Sequence, residues 1–554
     1  MTGKILLNGY EASALAIQRC TGYCEQMDEH SDASTIREAL VFSAFLRQDS
    51  SVPISQKFDS VEECLKLLDL QSVADEIVRG SPTERLKRLT IGVELAADPS
   101  VLFLDEPTSG LDARSAKLIM DGIRKVADTG RTIVCTIHQP STEVFTLFDK
   151  LLLLKRGGQT VYFGDLGKRA QTMVDYFESI PGVSPLPEGY NPATWMLERI
   201  GAGVNHEHDN QEDFVEIFNS SGLKREMEVQ LASEGVAVPA PGSKEMVFTK
   251  KRAASSWTQM TALVGRLSNL YWRTPSYNLT RFMIAPLLSL LCGLIYVDAS
   301  YTSYQGINAG VGMIFMSTLF NSVMAYNSVL PITFQDHQAF YRERAAQSYN
   351  ALWYFVGATV AQIPYVFASM LLFTAIFYWM IGFTGIGTAA LYWINLSLVV
   401  LFQTYLGQTL IYALPSVEVA ALLGVMLNSI LFLFMGFNPP ASSIPSGYKW
   451  LYTITPQRYP LANLAALVFS DCDSLPEFNT ETNQYTNVGS SLGCQPMTNP
   501  PASIDHITIK EYVESTFEYK HDKIWRNFGV LLGFIFLFRL LALLSLRFIN
   551  HQKR

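Results

Sequence analysis

Charge is what this 554-residue chain has least of: Asp, Glu, Lys and Arg together make 17%, against about 25% in an ordinary soluble domain. A basic surplus is missing too. There are 42 Lys and Arg against 50 Asp and Glu, a formal net charge of −8, which argues against a general nucleic-acid binder. Cysteine is scarce, with seven in all, so a disulfide-dense secreted module is excluded. Disorder and collagen are excluded as well, because hydrophobic residues reach 49% and aromatics 12%. No secretory leader opens the sequence. Met1–Gly9 reads instead as a strand running into a turn, which places the first part in the cytosol. At roughly 150 residues per domain, the length allows three or four domains or one large membrane protein.

What is present changes along the chain. Up to about Ser255 charged helical stretches separate apolar runs such as Val101–Leu104 and Thr132–Ile137, the pattern of a parallel sheet covered by helices. Beyond Trp257 long apolar segments dominate. Six are long enough to cross about 30 Å of hydrocarbon: Asn278–Val297, Ile307–Phe334, Ala351–Phe383, Thr388–Leu414, Val417–Phe437 and Phe528–Phe548. An even count returns both termini to the cytosolic side. Arg342, Arg344, Arg547, Lys553 and Arg554 then fall on that side, as the positive-inside bias requires. The residues from Trp257 to Arg273 carry one apolar face at helical spacing, suited to the inner membrane surface or to an ordinary core.

The large loop Asn438–Asn527 is then extracellular. It holds the short apolar run Tyr459–Phe469, plausible as a re-entrant piece, and two cysteines, Cys472 and Cys494, whose pairing is allowed outside the cell. Cys20 and Cys24 lack a second ligand pair at zinc spacing and read as reduced strand residues. Asn321, Asn327, Gln362, Gln403, Gln408 and Asn428 lie within spans. They either line a substrate path, Asn321, Asn327 and Asn428 above all, or join helices through hydrogen bonds. Arg539, in the middle of the last span, needs a partner that the sequence does not name.

The most informative segment runs Val101-Leu-Phe-Leu-Asp105-Glu106-Pro-Thr-Ser109-Gly-Leu-Asp112. A buried strand delivers two carboxylates to its end, where ligands of open α/β sheets bind. Asp105 suits Mg²⁺, and Glu106 suits polarising the water that attacks a γ-phosphate. A second strand, Thr132–Ile137, ends in His138, which can reach the same phosphate. A third strand-like run ends at Gln26, placed to bond metal or attacking water.

In order, Gln26, Asp105-Glu106, Ser109–Asp112 and His138 resemble the Q-loop, Walker B, D-loop and switch histidine of an ABC ATPase. Lys87-Arg-Leu-Thr-Ile-Gly-Val-Glu-Leu, Gly189-Tyr-Asn-Pro-Ala-Thr-Trp and Tyr271-Trp-Arg-Thr-Pro-Ser-Tyr-Asn-Leu-Thr-Arg-Phe282 resemble the G subfamily. The order of the halves is similar to the second half of a full-length pleiotropic drug resistance transporter.

This resemblance implies an α/β P-loop-type ABC ATPase domain, incomplete, followed by an all-α six-helix transmembrane domain of ABC-2 type. The boundaries it implies are a partial nucleotide-binding domain over 1–180, a linker over 181–255, and an amphipathic connecting helix over 256–277. The membrane domain follows over 278–548 with its extracellular loop at 438–527, then a cytosolic tail over 549–554. ATP and Mg²⁺ are the implied cofactors. Glu106 and His138 are the catalytic pair, Gln26, Asp105, Ser109 and Asp112 bind nucleotide, and Asp105 and Gln26 hold the metal. Lipid, a second ABC half and a hydrophobic or amphipathic cargo are the implied partners, with the plasma membrane as location.

Two departures from the pattern stand out. The phosphate cradle G-x-x-x-x-G-K-[ST] is absent: Gly3-Lys4 continues into Ile5 and Gly167-Lys168 into Arg169. Its backbone N–H groups and lysine would neutralise the β- and γ-phosphates. A chain truncated before that loop, or an incomplete gene model, is therefore expected, with apolar surface left exposed. The competing reading is a nonhydrolytic membrane scaffold. The second departure is the signature segment, where Ser81-Pro82-Thr83-Glu84-Arg85 stands in place of Leu-Ser-Gly-Gly-Gln. Pro82 offers no N–H and Glu84 adds negative charge, while Ser81, Pro82 and Glu84 fit an N-cap, an N1 proline and the acid of a capping box.

Overall fold

Asn8 and Gly9 both adopt positive φ, 55° and 82°, which lets Leu6–Leu7 pair antiparallel with Tyr10–Glu11 as a tight hairpin. The expected opening strand and turn are therefore present. The computed structural model describes residues 4–155, 157–201, 213–479, 484–501 and 506–551. Lys553 and Arg554, counted above as cytosolic charges, lie outside the described residues. Two units are distinguished: Met1–Gln259 with Arg342–Tyr349, and Met260–Tyr341 with Asn350–Arg554.

The first unit is built on three parallel strands, β1 (Thr21–Cys24), β2 (Val101–Asp105) and β3 (Thr132–Thr136), in that spatial order. Helices α1 (Ile36–Arg47), α2 (Ile54–Leu67) and α3 (Thr83–Leu95) connect β1 to β2, and α4 (Ala113–Asp128) connects β2 to β3. Both crossovers step across the sheet in the same direction. Right-handed connections of that kind put every helix on one face. The core follows from this. Cys24, Leu102 and Leu104 are buried against Ile36, Leu40, Leu65, Leu89 and Ile123.

The opposite face is bare. Tyr23, Phe103 and Val134 share one register row across the three strands and stay 54%, 38% and 47% exposed. Parallel sheets are ordinarily covered on both faces, so this row is exposed apolar surface of the kind anticipated above.

The stretch 181–255, expected as a linker, is more than that. It carries helices Pro192–Arg199, Phe214–Ser220 and Gly222–Leu231. Ala193, Trp195, Met196 and Phe214 from it are buried with Tyr162 and Phe177 in a second core. The aromatic side chains make that burial favourable enough to fold the segment onto its neighbours.

Beyond Trp257, among the described residues, five helical stretches are long and apolar enough to span: Pro275–Tyr296, Tyr304–Ala345, Ala351–Met380, Ile386–Ala413 and His521–Phe548. The fifth of the six expected spans corresponds to a shorter apolar helix, Val417–Leu433, whose 17 residues are at the lower end of what a crossing takes. It ends at Leu433 with Phe434 as its C-cap, whose N–H bonds back to Ile430 O. The stretch Ala351–Met380 is two helices, Ala351–Val360 and Ile363–Met380, with Pro364 in the first turn of the second. Tyr304–Ala345 has 42 residues, about 63 Å of helix at 1.5 Å each, roughly twice the hydrocarbon thickness. Arg342 and Arg344, counted above as cytosolic charges, lie in the last turn of that helix.

The surface-helix expectation meets Ser256–Trp272, which buries Leu263, Leu267 and Tyr271 and leaves Trp257 and Trp272 69% exposed. Tyr459–Phe469 lies in the helix Arg458–Phe469, buried along its length and too short to span. Cys472 and Cys494 form the one disulfide among the described residues. Cys20 and Cys24 are free thiols, though Cys20 ends a helix, Ala14–Cys20, and only Cys24 lies in a strand.

Candidate functional site

Parallel strands end together, so the C-terminal ends of β1, β2 and β3 bring Gln26, Asp105-Glu106 and Thr136 into one place. Asp105 is clamped from both sides: Tyr23 Oη donates to Oδ2 at 3.0 Å and Thr136 Oγ1 donates to Oδ1 at 2.7 Å. Two hydroxyl donors fix the carboxylate plane and leave further lone pairs open. The same Thr136 oxygen accepts from the Glu106 backbone N–H at 3.0 Å. Sequence pattern does not single out Tyr23 and Thr136. Alternation along a strand hints that Tyr23 points away from the core, but the cross-strand bond to Asp105 needs the register.

Glu106 takes φ 46°, the left-handed region that a non-glycine residue rarely adopts. That turn swings its side chain off the strand line, where Gln26 Nε2 donates to Glu106 Oε2 at 3.1 Å. Gln139, next to His138, repeats the conformation at φ 45°. Backbone strain of this sort at two neighbouring strand ends is typical of sites held for function. Glu106, Ser109, Gly110, His138 and Ser141 line one open recess. The structure thus gathers Gln26, Asp105, Glu106, Ser109 and His138 at one end of the sheet.

Asp112 has a different employment. It caps α4, accepting from the Ser115 N–H at 2.8 Å, and that bond holds its carboxyl below the usual carboxylate range. It remains exposed, so the cap leaves one oxygen toward solvent.

The donor set fits a Mg²⁺ ion. Asp105 and the amide oxygen of Gln26 are hard oxygen ligands at one strand end, and Mg²⁺ takes one or two protein ligands plus phosphate and water. Among the described residues no cluster of three or more His, Cys, Asp or Glu side chains could hold a metal unaided.

The signature segment corrects the capping expectation. Helix α3 begins at Thr83 with Pro82 as its N-cap residue and no side-chain cap bond. The Ser81 hydroxyl is buried without a hydrogen-bond partner among the described residues. Glu84 pairs instead with Arg88 and accepts from Ser115 Oγ at 3.3 Å. Pro82 takes ψ 153°, an extended rather than helical conformation, so the helix starts one residue later than expected.

In the second unit the polar residues divide. Gln403 Nε2 donates to Asn428 Oδ1 at 2.9 Å, and Gln362 Nε2 donates to Tyr271 Oη at 2.7 Å. Asn321 bonds its own helix at Ser317 O, while Asn327 is exposed and bonds Val323 O. Among the described residues no bond links Asn321, Asn327 and Asn428 to one another, and Asn428 serves as interhelical glue. Arg539 finds its partners. Gln408 Oε1 accepts at 2.6 Å, Thr359 Oγ1 accepts as well, and the guanidinium lies 4.3 Å from the Phe355 ring centre and 4.4 Å from that of Tyr405.

Comparison with known proteins covers both halves. Residues 258–469 match the family described as ABC-2 type transporter, and a second family of that description matches 138–219. Residues 481–554 match the family described as CDR ABC transporter. "ABC transporter G family member 36" of Arabidopsis thaliana is 34% identical over 560 residues, covering 100% of this chain and 36% of that relative. "Pleiotropic drug resistance protein 1" of Nicotiana tabacum is 35% identical, covering 100% of this chain and 37% of its own length. The chain spans about a third of the length of the curated relatives it matches. A solved ATP-binding cassette of an ABC transporter, in its ADP conformation, covers 30% of this chain and 68% of its own, at 18% identity and TM-score 0.26. At that score the likeness carries no argument.

Proposed function

Because the chain belongs to the G family of ABC transporters, among the pleiotropic drug resistance proteins, we propose that it forms one half of an ATP-driven exporter of hydrophobic or amphipathic compounds. The observation that supports this most is the Asp105, Glu106 and Gln26 constellation, held by Tyr23 and Thr136 at the strand ends.

In this reading Asp105 and Gln26 would hold Mg²⁺, which would neutralise phosphate charge when bound. Glu106 takes the proton of an attacking water. A general base of this kind is worth about 10²–10⁴-fold in rate. His138, at the rim of the same recess, donates toward the departing phosphate, and Ser109 and Asp112 face a second ATPase domain. A glycine-rich phosphate cradle, which these 554 residues do not carry, would have to come from other polypeptide. The apolar helices form a six-helix ABC-2 membrane domain with both termini cytosolic, in the plasma membrane.

One observation favours a second reading. With no glycine-rich cradle and its lysine in the sequence, the chain by itself binds nucleotide weakly and acts as a membrane scaffold for a partner half. A single experiment separates the two. The chain is reconstituted in lipid vesicles alone, and again with the remaining portion of a full-length relative. Phosphate release and ATP-dependent uptake of a labelled hydrophobic dye are then measured. Turnover in the second preparation that vanishes in Glu106→Gln supports the exporter. Turnover indifferent to Glu106, or none in either preparation, refutes it.

A further inference from the structure

Three cations stand in a row at Lys250-Lys251-Arg252, the longest unbroken basic run in a chain that is only 17% charged, and Ala253-Ala254-Ser255-Ser256 follows them. Elsewhere in the first unit cations meet carboxylates, as Arg47 meets Glu94 and Arg131 meets Asp98. These three meet none among the described residues. Lys250 and Lys251 are exposed. Arg252 is partly buried, and its Nε–H has no hydrogen-bond partner among the described residues. A guanidinium so placed gains by meeting an acidic partner from outside.

Ser255, which closes the run, is exposed and precedes the helix Ser256–Trp272. Its Oγ accepts from the Thr258 N–H at 3.1 Å and its carbonyl from the Gln259 N–H at 3.0 Å, the bonds of an N-cap. Residues 250–255 belong to no helix or strand, so seating them in an extended groove breaks no ladder of backbone bonds. Besides the cap, the bonds that give way are Arg19 Nη1 to the Lys250 carbonyl at 3.3 Å and Gln259 Nε2 to the Ala254 carbonyl at 2.8 Å. In an extended chain three residues cover about 10 Å, so Arg252 reaches an acidic pocket set apart from an acceptor oxygen at Ser255. Charge patterns of this kind are how protein kinases tell substrates apart. Arg47 and Ser50 share the spacing, yet Arg47 is held by Glu94 and Asp49 adjoins Ser50. Arg169 with Thr172 and Arg273 with Ser276 share it too, but both acceptors lie within helices, Gln171–Glu178 and Pro275–Leu279.

We infer that Ser255 is a phosphoacceptor, recognised by a basophilic serine/threonine protein kinase through Lys250, Lys251 and Arg252. Ser255 Oγ attacks the γ-phosphorus of ATP held by the kinase. The Oγ–P bond forms as the bond from that phosphorus to the β–γ bridging oxygen breaks, ADP leaves with the electron pair, and the hydroxyl proton passes to a carboxylate of the kinase. The product carries a phosphate at a helix N-terminus beside three unpaired cations, a placement that orders a segment rather than melting it. Of the proposed function, the site needs only that the first unit face the compartment holding ATP.

The test uses the full chain in lipid nanodiscs, where both faces are open to solution. It is incubated with the catalytic subunit of cyclic-AMP-dependent protein kinase and ATP labelled at the γ-phosphorus, and peptide mass spectrometry locates the phosphate. Label should enter at Ser255. Ser255→Asn keeps a cap acceptor for the Thr258 N–H and should remove the label, whereas Ser256→Ala, Ser50→Ala and Thr172→Ala should leave it. Arg252→Gln should slow labelling about tenfold, as the loss of one charge-assisted contact does. Phosphate on another residue in place of Ser255, label that survives Ser255→Asn, a rate indifferent to Arg252→Gln, or no uptake at all overturns the assignment. The unaltered chain by itself locates the phosphate, so a variant that fails to fold does not remove the test. Absence of ATP turnover by the chain would refute the exporter and leave this readout unchanged.

Discussion

Gln26 Nε2 donates to Glu106 Oε2 across 3.1 Å, joining the end of β1 to the end of β2. The bond parks an amide against the carboxylate that is best placed to act as a base. A nucleotide-bound metal at Asp105 would compete for the same glutamine.

In a complete transporter Glu106→Gln should abolish most phosphate release, a loss of about 10²–10⁴-fold for a general base. Pro82→Ser should change it less than about twofold: Pro82 offers no N–H and Glu84 adds negative charge, and we propose on that ground that the Ser81–Arg85 segment faces a second nucleotide site that binds without turnover. Equal losses in the two variants would remove the asymmetry between sites.

Arg47 Nη2 lies 2.7 Å from Glu94 Oε2, with side chains 11% and 6% exposed. Arg47→Met should destabilise the chain by about 3–5 kcal/mol, because Glu94 is left buried and unpaired. The double variant Arg47→Met, Glu94→Gln should recover most of that loss. Thermal aggregation midpoints in detergent compare the three. A double variant no better than the single one would contradict the pairing.

Cys472 and Cys494 close a loop of sequence separation 22 and are 6% and 3% exposed. Replacing both with serine should cost about 3 kcal/mol. Limited proteolysis should then cut first within 472–494. Unaltered digestion after reduction would show that the surrounding contacts suffice.

Arg539 makes its bonds with a planar fork over two aromatic rings, which an ammonium cannot copy. Arg539→Lys should lower stability by about 2 kcal/mol through the orphaned Gln408 and Thr359. Arg539→Met, in a Gln408→Leu background, should be milder than Arg539→Lys. Melting temperatures in nanodiscs order the variants, and the reverse order would count against a neutral-partner role.

Legibility varies with the range of the interaction. The strand ending in Asp105-Glu106, the strand before His138 and the Cys472–Cys494 pair can all be read from short stretches of chain. Each of those readings rests on local pattern or on a small inventory of cysteines. The absent cap at Ser81 escapes pattern reading because the motif is the same whether Pro82 is helical or, as here, extended at ψ 153°. The length of the helix from Val417 escapes it because Phe434, Met435 and Phe437 continue the apolar run past the last helical residue, Leu433. Asn428 is a third case, since its role as interhelical glue depends on Gln403, 25 residues away on another helix.

The order of residues alone was enough to locate the carboxylates, amide and imidazole at the strand ends, because apolar runs and their punctuation mark where a strand stops. It was also enough to show where long apolar stretches begin, since span length follows from the thickness of hydrocarbon. Only the folded chain decided who touches whom. Tyr23 meets Asp105 through strand register, and Arg539 meets Gln408 through helix packing. A buried polar group must be satisfied, but the chain order does not say by whom.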